Sequence, residues 1–89
     1  MEVSERLLKY VSFDTQSDES SESCPSTEKQ KRLGAALVEE MKAMGIADAR
    51  MDADGYVYGS VGGKAGAPAI GLIAHMDTSP DCSGADIKP

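Results

Sequence analysis

Apolar positions along this chain fall into three differently spaced groups. Val3, Leu7, Leu8 and Val11 recur at helical spacing and predict a short amphipathic helix over residues 2–12, with Ser4 or Glu2 serving its first turn. Residues 14–26 are almost all polar, rich in Ser, Asp and Glu, and show no period, which predicts a long mobile or functional loop. A second helix is announced by Thr27 and Gln30, spaced as in a capping box where each side chain satisfies the other's backbone donor. Pro25 favours extended backbone just ahead, and Glu28 suits the positive end of the helix dipole. Leu33, Leu37, Met41 and Met44, widened by Ala36, form its apolar stripe, and Gly45 is placed to terminate it in the left-handed conformation.

The period then changes. Residues 49–52 and 56–61 read as two short strands around Asp54-Gly55, a hairpin signal, and residues 62–68 form a glycine-rich turn. Residues 69–76 predict a third strand that is apolar on both faces, with Ile73 on one side and Ile70 and Leu72 on the other. A two-sided apolar strand belongs in the middle of a covered sheet. Two helices and two further strands do not supply that cover, so the pattern implies a larger domain than these 89 residues.

Composition agrees. One Phe, no Trp and nine Gly leave few large core-filling side chains, and a chain this short buries only about 60–65% of its unfolded surface. The net charge of −6 argues against nucleic acid and against anionic membrane surfaces as partners. Two cysteines, Cys24 and Cys82, do not make a disulfide framework. With a charged, non-apolar start and no apolar run approaching the ~20 residues that span a bilayer, the expected location is the cytoplasm.

Chemistry concentrates where the third predicted strand ends, at His75-Met76-Asp77-Thr78-Ser79-Pro80-Asp81. Residues two apart on a strand share a face, so Asp77 is placed to hold one ring nitrogen of His75 and leave the other for a ligand. Ligands in open α/β sheets collect at this carboxyl edge. By itself the pair is equally a histidine hydrogen-bonded at a strand end. The other candidates are weaker: Cys24, Cys82 and His75 leave a zinc shell incomplete, and Gly62-Gly63-Lys64 lacks the spacing of a phosphate loop.

The longer string, residues 70–84, closely resembles the first zinc-ligand motif of the peptidase T family of tripeptide aminopeptidases, within the M20 zinc metallopeptidases. Other M20 enzymes share the histidine-x-aspartate, whereas the following Thr-Ser-Pro-Asp-Cys-Ser-Gly resembles peptidase T in particular. Residues 10–17 resemble the exit of that family's first helix, and residues 25–30 the start of its second. The resemblance implies that the chain, residues 1–89, is an amino-terminal portion of a catalytic domain of α/β class, two helices plus three strands. It implies a metal-ligand role for His75 and a catalytic, imidazole-orienting role for Asp77. Zinc is the implied cofactor, as two ions whose remaining ligands and general base lie elsewhere. The implied partners are small peptides, tripeptides above all, and the fragment alone is expected to be inactive. The alternatives are a non-catalytic truncated paralogue, a self-associating module, or another M20 activity such as dipeptidase or deacylase.

Overall fold

The computed structural model describes residues 2–63 and 65–88. Lys64, within the predicted 62–68 turn, lies outside them together with Met1 and Pro89. Helix α1 runs Val3–Val11 and helix α2 Gln30–Ala43; strands β1, Arg50–Met51, and β2, Val57–Tyr58, form an antiparallel hairpin that pairs Arg50 with Tyr58 and Met51 with Val57.

The start of α1 is fixed by Glu5, whose carboxylate accepts the Glu2 N–H at 2.9 Å. Three residues of its predicted apolar stripe, Val3, Leu7 and Leu8, are exposed, so this face has no cover among the described residues. What joins α1 to α2 is polar. The Glu40 side chain, only 8% exposed, receives the Tyr10 hydroxyl at 2.6 Å, Arg6 Nη1 at 2.7 Å and Lys9 Nζ at 3.3 Å.

Helix α2 starts two residues later than a Thr27 cap would place it. The entry is a tight turn in which the N–H groups of Gln30, Lys31 and Arg32 donate to the carbonyls of Thr27, Glu28 and Lys29. Its end is as predicted. Gly45 has φ +93, its N–H donates to Lys42 O at 3.0 Å, and the Ile46 N–H reaches Met41 O at 3.0 Å, the paired bonds of a Schellman motif. The side of α2 facing the hairpin is made flat by glycine. A Cβ at Gly34 would sit 2.6 Å from the Met51 sulfur and 3.4 Å from Val57 Cγ2.

The hairpin is shorter than predicted because side chains take over from the ladder at both ends. Asp52 Oδ1 accepts the N–H groups of Asp54 and Tyr56 at the turn, where Gly55 adopts φ +85. At the open end Asp48 Oδ1 accepts the Ser60 N–H at 3.0 Å, and Ser60 Oγ donates to Asp48 Oδ2.

The third strand expected over residues 69–76 is not formed. Ile70, Leu72 and Ile73 are 86%, 95% and 100% exposed, and no ladder among the described residues reaches them. A strand is held by its neighbours' backbone groups, and neither outer edge of the two-stranded hairpin pairs with this segment among the described residues. The architecture is therefore mixed α/β, with two helices and a two-stranded sheet. The buried apolar residues are Leu33, Val38 and Ala49 alone among the described residues. The accessible surface is 6794 Å², whereas a folded monomer of 9.3 kDa would expose about 5,000 Å². Large apolar side chains contribute to the excess, with Val3, Ile70, Leu72 and Ile73 all more than four-fifths exposed.

Two expectations follow. The hydrogen bond from Tyr10, followed by Lys9 and Arg6, holds the Glu40 carboxyl below its ordinary value. A depressed carboxylate stabilises the fold above its unfolded pKa of about 4.3 and loses that contribution as pH falls through the folded value. Acid titration of α1 docking, read from the Tyr10 ring resonances, is expected to show this loss, and Glu40→Gln to remove the pH dependence. Separately, Gly34→Val should separate α2 from the hairpin at a cost of about 1–3 kcal/mol, read as a lower urea midpoint.

Candidate functional site

The site is assembled where the chain leaves α1. Asp14 Oδ1 accepts the Gln16 N–H at 3.2 Å, turning the backbone, while Oδ2 pairs with Lys29 Nζ at 3.0 Å. The Lys29 ammonium, and then the Gln16 amide, hold the Asp14 carboxyl below the usual range. Thr15 is buried at 3% exposure.

This stretch then pairs with the far end of the chain. The Thr78 N–H donates to Thr15 O at 3.0 Å and the Ser17 N–H to Thr78 O at 2.9 Å, an isolated parallel bridge between Gln16 and Thr78. Ser17 Oγ donates to the same Thr78 carbonyl at 2.9 Å, and Gln16 Nε2 to Pro80 O at 3.0 Å. On the other side, Thr27 Oγ1 donates to Gln16 O at 2.8 Å. The three stretches that carry the resemblance, 10–17, 25–30 and 70–84, thus meet around Gln16.

Thr27 and Gln30 do touch, but not as a capping box. Gln30 Nε2 donates to Thr27 Oγ1 at 3.0 Å and to Ser26 Oγ at 3.2 Å, and Gln30 is buried. With its hydroxyl proton committed to Gln16, Thr27 ties the helix entry to the loop. The polar 14–26 stretch is correspondingly more ordered at its start than its composition suggested. No periodicity signals such a role, and only the proximity of Asp14 and Gln16 hints at an Asp-centred turn.

His75 and Asp77 flank this bridge. His75 Nδ1 lies 3.0 Å from both Oδ1 and the carbonyl oxygen of Asp77. With its proton on Nδ1 the ring donates to Asp77, and the Nε2 lone pair is left for a ligand. The His75 side chain is 84% exposed and that of Asp77 43%. Residues 69–76 form no strand, so the contact is made within an irregular segment, the imidazole reaching forward to Asp77. Beneath the segment lies a cavity of about 570 Å³, with Tyr10, Phe13, Leu33, Leu37, Met76 and Ile87 among its apolar walls and His75 also on its lining.

His75 has the chemistry of one metal ligand with its orienting carboxylate. A whole metal site is not present: among the described residues no three His, Cys, Asp or Glu side chains cluster to hold an ion. Cys24 and Cys82 are free and exposed. Among the described residues no helix is long and apolar enough to cross a membrane.

Comparison with curated proteins finds relatives that carry the name peptidase T. No family model matches the chain. The curated relatives are peptidase T: that of Clostridium acetobutylicum is 53% identical over 90 residues, covering 99% of this chain. Peptidase T of Alkaliphilus oremlandii is 53% identical over 96% of the chain, and that of Bacillus pumilus 48% identical over 99%. The resemblance to peptidase T read from the motifs is thereby shown across nearly the whole chain. The chain spans about a fifth of the length of these relatives, 22% of each.

Gly84 completes the loop by its bareness: a Cβ there would lie 2.9 Å from Asp14 Oδ1 and 3.1 Å from Thr78 Oγ1. Gly84→Val is expected to push the 78–84 loop off Asp14, read as faster amide exchange at Thr78 and Ser17 with hairpin amides unchanged.

Proposed function

We propose that these residues form part of a zinc-dependent aminopeptidase that releases the amino-terminal residue from tripeptides in the cytoplasm. The observation that carries this reading is the His75–Asp77 contact, found in a chain about half identical to peptidase T over nearly its full length. Asp77 fixes the tautomer and orientation of the His75 imidazole, and the free Nε2 serves as one ligand. Zinc, when bound, polarises the scissile carbonyl and lowers the pKa of a bound water. Asp77 does its part by holding the Nδ1 proton throughout, so that Nε2 keeps its lone pair. The remaining ligands and the general base belong to the rest of the protein. One imidazole falls short of the three protein ligands usual for a hydrolytic zinc centre, so the 89-residue chain alone is inactive.

In the full-length protein, chelation is expected to abolish tripeptide hydrolysis and zinc to restore it. Asp77→Asn should cost about 10–100-fold in zinc affinity or activity. Full activity in the presence of chelator, or cleavage by the purified isolated fragment, would contradict the reading.

A second reading applies to the isolated chain. The exposed run through Ile70, Leu72 and Ile73 favours self-association through unpaired backbone edges. Size-exclusion chromatography separates the possibilities: one defined oligomer marks a specific module, whereas a broad aggregating profile marks a piece lacking its cover.

A further inference from the structure

We infer that Thr27 is a positioning residue for the His75–Asp77 pair, acting through Gln16 and Thr78. The inference rests on the reading of His75 and Asp77 given above, and adds to it a residue far from them in sequence.

The linkage is continuous. Thr27 Oγ1 donates to Gln16 O at 2.8 Å, which fixes the peptide plane following Gln16. That same peptide carries the Ser17 N–H, which donates to Thr78 O at 2.9 Å. One peptide unit is therefore held from both sides, by α2's entry through its oxygen and by the site segment through its nitrogen. Because an amide is planar, rotating one end moves the other. Thr78 directly follows Asp77, whose carbonyl and carboxylate both contact His75. A tilt of the Gln16–Ser17 peptide is transmitted to the acceptors that orient the imidazole.

Little else holds this segment. His75 is exposed, residues 69–74 have no ladder, and the bonds at Thr78 and Pro80 are its ties to the loop after α1. Packing supports it only in part: Met76 is half-buried, beside a cavity of about 570 Å³ that it lines with Leu33 and Leu37. Bonds within hydrogen-bonded chains also reinforce one another, so loss of the Thr27 bond weakens the Ser17–Thr78 bond. A side chain that acts by orientation should affect turnover more than substrate affinity, since small misplacements of reacting groups are costly.

The test uses the full-length protein and compares Thr27→Val, which keeps the shape and removes the hydroxyl, with Thr27→Ser, which keeps the hydroxyl. Gln16→Ala, which removes the bond to Pro80 O, guards against a folding defect in the first variant. The inference predicts that Thr27→Val lowers tripeptide kcat about tenfold or more with KM within about twofold. It also predicts faster zinc loss to a chelator and faster amide exchange at Asp77 and Thr78. Thr27→Ser should restore all three, and Gln16→Ala should reproduce the exchange effect. Unchanged kcat and zinc retention in Thr27→Val would overturn the inference, as would a Thr27→Ser variant no better than Thr27→Val. If the wild-type protein neither binds zinc nor cleaves tripeptides, the reading of the site fails. Amide exchange then decides the linkage by itself: acceleration at Asp77 and Thr78 in Thr27→Val upholds it, and no change refutes it.

Discussion

Everything that brings chemistry together in this chain depends on the short parallel bridge between Gln16 and Thr78. Three hydrogen bonds, from Thr78 N–H, Ser17 N–H and Ser17 Oγ, tie segments about sixty residues apart. Without them the His75–Asp77 segment would follow an unpaired apolar stretch, tied to the loop after α1 only through the Gln16–Pro80 bond. Closing so long a loop carries an entropic cost that rises only slowly with length, so a few well-placed bonds suffice when their donors are already ordered. Asp14 and Thr27 provide that order by fixing Gln16 from either side.

Helix α2 is the hub from which the rest is arranged. Its amino-terminal turn holds the Gln16 loop, its glycine-bearing side admits the hairpin, and Glu40 anchors α1 through Tyr10, Arg6 and Lys9. Tyr10 reports the same contact from the other partner, since its hydrogen bond to the Glu40 carboxylate pushes the phenol above its ordinary value. These are mainly polar or close-approach contacts, while much apolar surface stays open. The imbalance explains why the fold exposes far more area than its mass requires. It is also consistent with a chain spanning 22% of its relatives.

Local signals were legible and long-range ones were not. Helical spacing located α1, and Gly45 marked the end of α2, because these depend on residues within one or two turns. Asp54-Gly55 marked the hairpin for the same reason. The strand over 69–76 was misread because its pattern describes a finished environment, a covered sheet, that the chain's own neighbours do not provide. The spacing of Thr27 and Gln30 does not tell which Gln30 group meets the hydroxyl: the side-chain amide donates to Thr27 Oγ1, while the Gln30 backbone N–H donates to the Thr27 carbonyl. The nearness of His75 to Asp77 was legible from their separation, although they meet in an irregular segment in place of a strand. Their connection to residues 14–17 had no signal in the sequence, because it rests on backbone hydrogen bonds between segments about sixty residues apart.

In the proposed site, the imidazole held at Nδ1 by Asp77 presents Nε2 to zinc. Anomalous diffraction at the zinc edge from crystals of the full-length protein tests it most directly. The account predicts a zinc peak about 2.0–2.1 Å from His75 Nε2, with Asp77 still on Nδ1. A zinc ion bound elsewhere, or one coordinated through Nδ1 with Asp77 displaced, would contradict it.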